Sequence, residues 1–221
     1  MRKESATSPR GSCGALAARE TVGAVPMTEE AVDRSNGYEA VAAQLIRARD
    51  RSSIGVATVR NWARLLPAGS SILDLGCGHG VIAAALIEDG FSVYGIDASP
   101  SLIAEFRRRF PGAPVVCEGA EESSFFQRTF DGIVAIGLMF LLAAEVQQKL
   151  IERLARGLNP GGRLLFTAPT QRATWPDILT GRESVSLGVE EYVRLLAEGG
   201  LTLEDEYVDE GENHYYACCR K

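Results

Sequence analysis

The chain has 221 residues, a size typical of one large α/β domain that buries its own core. Its composition, 46% hydrophobic and 24% charged, is that of an ordinary soluble globular protein, and no apolar run approaches the roughly 18 residues that span a bilayer. The formal net charge of −6 argues against a nucleic-acid partner, because such a partner usually needs a basic surface.

The first thirty residues show no sustained periodicity and carry few large apolar side chains. They also lack the apolar centre of a secretory signal, so residues 1–30 are predicted to be a disordered extension. Apolar residues then recur at helical spacing and predict one helix that begins after Gly37. A second helix is predicted from Ile54 to Leu66, and Pro67-Ala68-Gly69 ends it.

The most informative stretch runs from Ser71 to Ile87. It begins with a short apolar run of strand character, continues with Gly76, Gly78 and Gly80, and ends in an Ala-rich run that suits a helix. Glycine is needed where the main chain turns sharply and where a ligand approaches backbone N–H groups. A strand, a glycine loop and a helix N-terminus together predict a socket for a nucleotide-like ligand.

Two residues indicate which nucleotide would bind. The dinucleotide fingerprint Gly-x-Gly-x-x-Gly would place its third glycine at position 81, where the chain has Val81. Asp74 would repel a pyrophosphate but suits a ligand that carries an ammonium group. The pattern Asp-x-Gly-x-Gly-x-Gly resembles motif I of the class I S-adenosylmethionine-dependent methyltransferases. The resemblance implies that Asp74 orients the amino-acid portion of S-adenosyl-L-methionine and that the three glycines pass beneath it.

An acid also ends the next predicted strand, which runs from Phe91 to Asp97. Asp97 follows the glycine loop by about twenty residues, the distance at which an acidic side chain accepts hydrogen bonds from ribose hydroxyls. Asp97, together with the adjoining Ala98, is therefore predicted to bind the cofactor.

The third βα unit adds the adenine end of the predicted site. A helix from Ser99 to Phe110, with Ser99 as its cap, leads to a third strand from Ala113 to Cys117. In the family the loop after this strand contacts adenine, and an acid there often accepts from the exocyclic amine. The resemblance points to Ala120 and Glu121, with Glu118 as an alternative.

The fourth predicted strand, Phe130 to Gly137, ends where the family places the methyl group to be transferred. The resemblance therefore puts Gly137 beside the cofactor. The following Leu138-Met139-Phe140 has neither the Asn/Asp-Pro-Pro-aromatic motif of relatives that methylate exocyclic amines nor the Pro-Cys of the cytosine C5 enzymes. The apolar floor suits a small or apolar acceptor, and Met139 is a predicted wall residue.

A helix is predicted from Glu145 to Leu158, ended by Asn159-Pro160-Gly161-Gly162, and a fifth strand from Arg163 to Ala168. The irregular segment 169–188 is longer than most connections inside a compact domain. Trp175 makes it too apolar for a solvated loop, so the segment is predicted to be an ordered lid that contributes Trp175 to the acceptor pocket.

The chain ends in a predicted helix, Val189 to Ala197, and two strands, Leu201 to Tyr207 and His214 to Cys219. Alternation places His214 and Tyr216 on one face of the last strand. His214 is the predicted general base for an acceptor that must lose a proton, and Tyr216 is a predicted pocket residue. A hydrogen-bonded histidine on an edge strand is the alternative role for His214.

Alternating strands and helices with short linkers predict an α/β fold with a doubly wound, mostly parallel sheet. The resemblance implies seven strands, an antiparallel C-terminal edge hairpin and helices on both faces. It also implies that the leading helices cover the cofactor and begin the acceptor pocket, with Tyr38, Arg60 and Trp62 as candidates for its wall. The alternative is that Trp62 packs in the core and Arg60 is solvated. The prediction is a single methyltransferase domain over residues 31–221, made of a helical cap (31–68), a cofactor-binding core (69–168), the lid (169–188) and a terminal helix and hairpin (189–221).

The function implied by the resemblance is methyl transfer from S-adenosyl-L-methionine to a small-molecule acceptor by in-line displacement. Five cysteines without a Cys-x-x-Cys pair indicate reduced thiols in a cytoplasmic protein and no zinc site. No metal, nucleic-acid or membrane partner is expected. Three alternatives stay open: a nicotinamide-dependent oxidoreductase, which Val81 and Asp74 disfavour, a non-catalytic cofactor-binding module that regulates a partner, and a methyltransferase that acts on protein or RNA.

Overall fold

The computed structural model describes residues 33–221, so the predicted disordered extension, residues 1–30, lies outside the described residues. The α-helices in this range are α1 (Tyr38–Arg49), α2 (Val56–Ala63), α3 (Val81–Glu88), α4 (Pro100–Arg109), α5 (Ala144–Gly157) and α6 (Val189–Glu198), and two short 3-10 helices span Phe125–Gln127 and Met139–Leu141. The strands are β1 (Ser71–Leu75), β2 (Ser92–Asp97), β3 (Val115–Cys117), β4 (Phe130–Ala135), β5 (Leu158–Thr167), β6 (Ala173–Pro176), β7 (Glu183–Ser186), β8 (Leu201–Val208) and β9 (His214–Arg220).

Seven strands form one sheet in the order β3-β2-β1-β4-β5-β9-β8. The strands from β3 to β5 pair in parallel, whereas β9 is antiparallel to both β5 and β8. All five residues of β1 are buried, as expected of a central parallel strand that is covered on both faces. The predicted doubly wound sheet with an antiparallel edge hairpin is therefore confirmed.

Hydrophobic side chains cover the two faces of the sheet in separate clusters. One cluster packs Leu150 and Leu154 of α5 and Tyr192 of α6 against the sheet. The other packs side chains of α2, α3 and α4, among them Trp62 and Phe106, against the opposite face. With helices on both faces, the open edge at the carboxyl ends of the strands is left for a ligand.

The segment 169–188, predicted to be an irregular lid, contains a second, two-stranded sheet formed by β6 and β7. Strand β5 also begins earlier than predicted, at Leu158, with a register shift against Phe130 and Gly132 of β4. Each of these strands lacks a clean apolar alternation, which is why periodicity does not reveal it.

None of the helices between residues 33 and 221 combines the length and the apolar character that a bilayer crossing requires.

Candidate active site

A cavity of about 280 Å³ lies where the order of the sheet reverses, beside the carboxyl ends of β1, β2 and β4. Its walls come from the loop between β1 and α3, the segments after β2, β3 and β4, helix α1 with the residues before it, and the start of β9. The chain thus brings together segments that are far apart in sequence, and most of them are the ones predicted to bind a nucleoside.

The glycine loop is fixed to the neighbouring strand by its own backbone. The N–H groups of Gly76 and Cys77 both donate to the carbonyl of Ile96, at 2.8 and 3.0 Å. Gly78 has a φ of +55°, and a Cβ atom at this position would meet no protein atom within 4 Å, because the space beside it is the cavity. A ligand can therefore approach the main chain at Gly78.

Gly80 has a different reason to be glycine. Its φ is +94°, and a Cβ atom here would lie 2.5 Å from the ring of Phe110 and 3.0 Å from the ring of Phe106. Gly80 does not line the cavity. Its small size lets α3 begin close against α4, so the structure gives it a packing role beside the predicted binding loop.

Asp74 is the carboxylate at the base of this loop, and its side chain is almost fully buried. One oxygen, Oδ2, has no hydrogen-bond partner among the described residues. Burial, and next the nearby Asp97, raise the pKa of Asp74 to about 7. A buried acceptor without a partner destabilises the protein unless a ligand supplies a donor, and an ammonium group on the ligand would do so.

Asp97 binds the loop from the other side. Its Oδ2 accepts from the Gly78 N–H at 2.8 Å, and its Oδ1 accepts from the Ser99 N–H at 2.8 Å. Burial raises the pKa of Asp97, while these two N–H groups act in the opposite direction. Each oxygen keeps a further lone pair, so the carboxylate can still accept from the two hydroxyls of a ribose. Ser99 caps α4, as predicted, by accepting from the Leu102 N–H at 3.2 Å.

The segment after β3 forms the opposite end of the cavity. Ala120 and Glu121 line it, as does Glu118, and Glu121 Oε2 is buried with no hydrogen-bond partner in the described part of the chain. Arg153 of α5 fixes this segment, because its Nη1 donates to the carbonyls of Ala120 at 2.9 Å and Glu121 at 2.7 Å. Arg153 is not recognisable as a functional residue from the sequence, since no local pattern indicates that it reaches this loop.

The cavity wall contains most of the residues predicted to bind the cofactor. Gly137 lies at the end of β4, where its N–H donates to Thr167 Oγ1 at 2.7 Å. The predicted residues that line the cavity are Tyr38, Asp74, Gly76, Gly78, Asp97, Ala98, Ala120, Glu121 and Gly137. Those that do not are Trp62, Gly80, Met139, Trp175, His214 and Tyr216.

Three predicted acceptor residues are core residues instead. Trp62, Met139 and Tyr216 are each at most 1% exposed and belong to the hydrophobic clusters on the faces of the sheet. Tyr216 stacks on Phe166 with ring centroids 4.8 Å apart. Arg60, also predicted for this wall, pairs with Glu88 on the protein surface. The structure therefore corrects these assignments, because aromatic character alone does not distinguish a pocket wall from a core.

His214 lies away from the cavity and makes the contact of the alternative role. Its Nε2 is 3.0 Å from Glu206 Oε1, across the hairpin of β8 and β9. Its neighbour Tyr215 is the β9 side chain that lines the cavity, and its hydroxyl donates to Asp209 Oδ2 at 2.7 Å. The structure thus corrects the prediction that His214 is the general base. It also shows that the face of β9 that carries Tyr215, and not the face that carries His214 and Tyr216, points to the cavity. Alternation alone would have identified Tyr215 once the register with β5 was known.

Apolar residues after β4 form the floor that the sequence predicted. Leu138, Phe140 and Leu142 line the cavity, and the ring of Trp175 packs against Phe140 with centroids 5.8 Å apart. Trp175 therefore supports the wall from the hairpin of β6 and β7 rather than forming it.

The hairpin of β6 and β7 is attached to the start of α1. Tyr38 donates its hydroxyl to Asp177 Oδ2 at 3.1 Å, and Arg182 pairs with Asp33 at 2.8 Å. Residues 33–38, which we call the strap, also pair with the adenine-end segment through Arg34 and Glu122. The strap therefore connects the hairpin to the segment after β3.

Comparison with known proteins agrees with this geometry. A family model described as a methyltransferase domain matches residues 72–162. The cypemycin N-terminal methyltransferase of a Streptomyces species is 40% identical over 42% of this chain and 40% of its own length. A demethylmenaquinone methyltransferase from Beutenbergia cavernae is 34% identical over 46% of this chain and 42% of its own length. The chain thus spans less than half the length of these two relatives.

A solved structure gives a longer match. The TehB-like S-adenosylmethionine-dependent methyltransferase of Corynebacterium glutamicum is 26% identical, with a TM-score of 0.65, over 83% of this chain and 98% of that chain. The sequence of residues 72–162 and the fold of the chain thus resemble those of S-adenosylmethionine-dependent methyltransferases, enzymes whose cofactor is S-adenosylmethionine.

Proposed function

We propose that the protein binds S-adenosyl-L-methionine in this cavity and transfers the methyl group to a small-molecule acceptor by in-line displacement. The observation that carries the proposal is the pair of buried carboxylates on either side of the glycine loop. Asp74 Oδ2 lacks a donor among the described residues, which fits the cofactor's ammonium group. Asp97 is held by two backbone N–H groups. It follows the glycine loop by about twenty residues, the separation at which an acidic side chain accepts from ribose hydroxyls.

The cofactor supplies a methyl group that its sulfonium already activates. The protein's contribution is therefore to hold the acceptor in line and to exclude water. Such positioning lowers the activation free energy by roughly 7–11 kcal/mol. The hydrogen bond from Gly137 to Thr167 fixes the end of β4. Leu138, Phe140 and Leu142 give this end of the cavity an apolar lining that excludes water.

A small acceptor is favoured by the way the cavity is covered. The strap and the hairpin of β6 and β7 are joined to each other by the Tyr38–Asp177 hydrogen bond and the Asp33–Arg182 ion pair. Tyr38, Asn36 and Arg34 of the strap line the cavity itself. A macromolecular acceptor would need this cover to open further than a metabolite would.

A second candidate is an acceptor amine on a peptide. It is favoured by Ile178, an apolar residue that is 97% exposed between β6 and β7, in the hairpin that is bound to the strap. One relative is named as an N-terminal methyltransferase of cypemycin.

The alternative of a non-catalytic module predicts binding of the cofactor with no methylated product.

Calorimetry followed by label transfer tests these functions. We expect S-adenosylhomocysteine to bind and NAD to give no heat, and labelled methyl groups from S-adenosylmethionine to enter small metabolites of a cell extract. Label in the peptide fraction would support the second candidate, and binding without label would support the regulatory module. Absence of binding by folded protein would overturn the assignment of the cavity.

A further inference from the structure

The turn between β8 and β9 is organised by one buried carboxylate, that of Asp209. Its Oδ1 accepts from the backbone N–H groups of Gly211 and Asn213, both at 2.9 Å. Its Oδ2 accepts from the hydroxyl of Tyr215 at 2.7 Å. Burial acts to raise the pKa of Asp209, but the hydrogen bonds from Tyr215 and Asn213 outweigh burial and hold this pKa below its ordinary value. A charged carboxylate therefore fixes the turn.

The same carboxylate orients the side chain of Asn213. Nδ2 of Asn213 lies 3.1 Å from Oδ1 and 3.0 Å from Oδ2 of Asp209. Because a carboxylate only accepts hydrogen bonds, the amide must turn its nitrogen toward Asp209 and its oxygen away from it. No residue in the described range donates to that oxygen, and Asn213 lines the cavity. The turn thus presents a hydrogen-bond acceptor whose orientation is set before a ligand binds.

Tyr215, the other β9 residue on the cavity wall, does not supply a base. Its hydroxyl proton is given to Asp209. Burial, and next this hydrogen bond, raise the pKa of Tyr215 well above its ordinary value. The hydroxyl is also packed closely, since a Cβ atom on Gly55 would lie 2.4 Å from it. Tyr215 therefore keeps its proton and serves to hold Asp209 in place.

The turn lies at the end of the cavity where methyl transfer is proposed. Tyr215 pairs with Thr167 of β5, and Thr167 Oγ1 accepts from the Gly137 N–H at the end of β4. The walls here are the apolar segment after β4 together with Thr167, Asn213 and Tyr215. Tyr215 is the one titratable side chain among these wall residues. This end of the cavity therefore offers an oriented oxygen acceptor but no side chain of its own that takes up a proton near neutral pH.

Given the proposed function, on which this assignment rests, we propose that the methyl acceptor is a neutral amine whose N–H donates to Asn213 Oδ1. Accepting one N–H holds the nitrogen so that its lone pair faces the methyl group. The lone pair forms the N–C bond while the C–S bond breaks and leaves its electron pair on sulfur. The methylated nitrogen then carries the positive charge and releases its proton to water.

Other nucleophiles fit this wall less well. A hydroxyl group must pass its proton to a base as it attacks, and the wall residues supply none. A thioether, a thiolate or a carboxylate carries no hydrogen that an amide oxygen could accept. Of these nucleophiles, the neutral amine alone meets both conditions.

The test identifies the atom that receives the methyl group. The wild-type protein is incubated with a cell metabolite extract and S-adenosylmethionine that carries an isotope-labelled methyl group, and NMR reads the chemical shift of the labelled methyl in the product. We expect a methyl group on nitrogen. A methyl group on oxygen, sulfur or carbon would overturn the amine while the proposed function stands. Absence of any labelled product would overturn the proposed function and this inference with it.

Asn213→Ala tests the residue itself. We expect methyl transfer to the amine to fall by about tenfold, as for one lost hydrogen bond, with the affinity for S-adenosylhomocysteine unchanged. Asn61→Ala, at an exposed asparagine of α2 that does not line the cavity, is the matched control and should change neither quantity. Undiminished transfer by Asn213→Ala, or a parallel loss of cofactor affinity, would overturn the role of Asn213. The product formed by the wild type decides the nature of the acceptor even if this variant does not fold.

Discussion

Asp74 places a carboxylate where water does not reach and where one of its oxygens has no donor among the described residues. Its pKa in the folded protein, about 7, lies above the ordinary value of 3.8. The folded state therefore holds the proton more tightly than the unfolded state, and this contribution to stability is lost as the pH rises from about 4 to about 7. Above that range the ligand-free protein retains a buried, uncompensated charge.

Asp74→Asn should consequently stabilise the ligand-free protein at pH 8 and have little effect at pH 5, where the wild-type carboxyl is protonated. Thermal melting of both proteins at the two pH values measures the difference. A gain in melting temperature that is the same at pH 5 and pH 8 would show that the charge is not its cause.

The same residue predicts how cofactor affinity depends on pH. Only the carboxylate form attracts an ammonium group, so binding of S-adenosylhomocysteine should tighten by about tenfold per pH unit below the pKa of Asp74 and level off above it. Calorimetry between pH 5.5 and 8 checks the profile. In Asp74→Asn the affinity should be low and nearly constant across this range, and a profile that matches the wild type would contradict the assignment.

The glycine loop is an element in which adjacent glycines serve different ends. Gly78→Ala adds a methyl group that meets no protein atom within 4 Å and faces the cavity, so the fold should lose only the roughly 1–2 kcal/mol of a left-handed alanine while ligand affinity falls. Gly80→Ala adds one that would lie 2.5 Å from Phe110, so overpacking should cost stability first. Urea unfolding and calorimetry on both variants separate the effects, and the reverse order would refute the distinction.

How far the elements could be predicted depends on where their information lies. The information that predicts the unit from β1 to α3, and Asp97 at the end of β2, is local. Glycine spacing and the ends of strands can be recognised from consecutive residues. The face of β9 is not local. It follows from the pairing of Tyr215 with Thr167, and a slip of one residue would exchange Tyr215 and Tyr216.

Which residues form the acceptor wall also depends on contacts between elements that are distant in sequence, and a short stretch of sequence does not reveal these contacts. Trp62 lies on a helix whose buried face is decided by the sheet against which it packs. The hairpin of β6 and β7 has strands of four residues each, too short for alternation to distinguish them from a loop.

At the scale of the whole molecule, substitutions of Trp62 test whether the hydrophobic cluster beneath α2 contributes to stability alone or also to ligand binding. It is 1% exposed in the cluster beneath α2 and does not line the cavity. Trp62→Ala should therefore lower the free energy of unfolding by about 3–5 kcal/mol. Trp62→Phe, which keeps an aromatic ring, should cost less and leave the affinity for S-adenosylhomocysteine unchanged. A loss of affinity in folded Trp62→Phe would restore the residue to the acceptor wall.

Strand β9 is synthesised after both β5 and β8, yet it lies between these two strands in the sheet. Until β9 has been synthesised, the edges of β5 and β8 that pair with it have unsatisfied backbone hydrogen-bonding groups. Such exposed edges are prone to associate with other chains. Tyr215 and Asn213, which complete the cavity wall, emerge from the ribosome together with this strand. The seven-stranded sheet and this part of the cavity wall therefore form together, and a chain released before residue 213 would expose the unpaired edges of β5 and β8 to other chains.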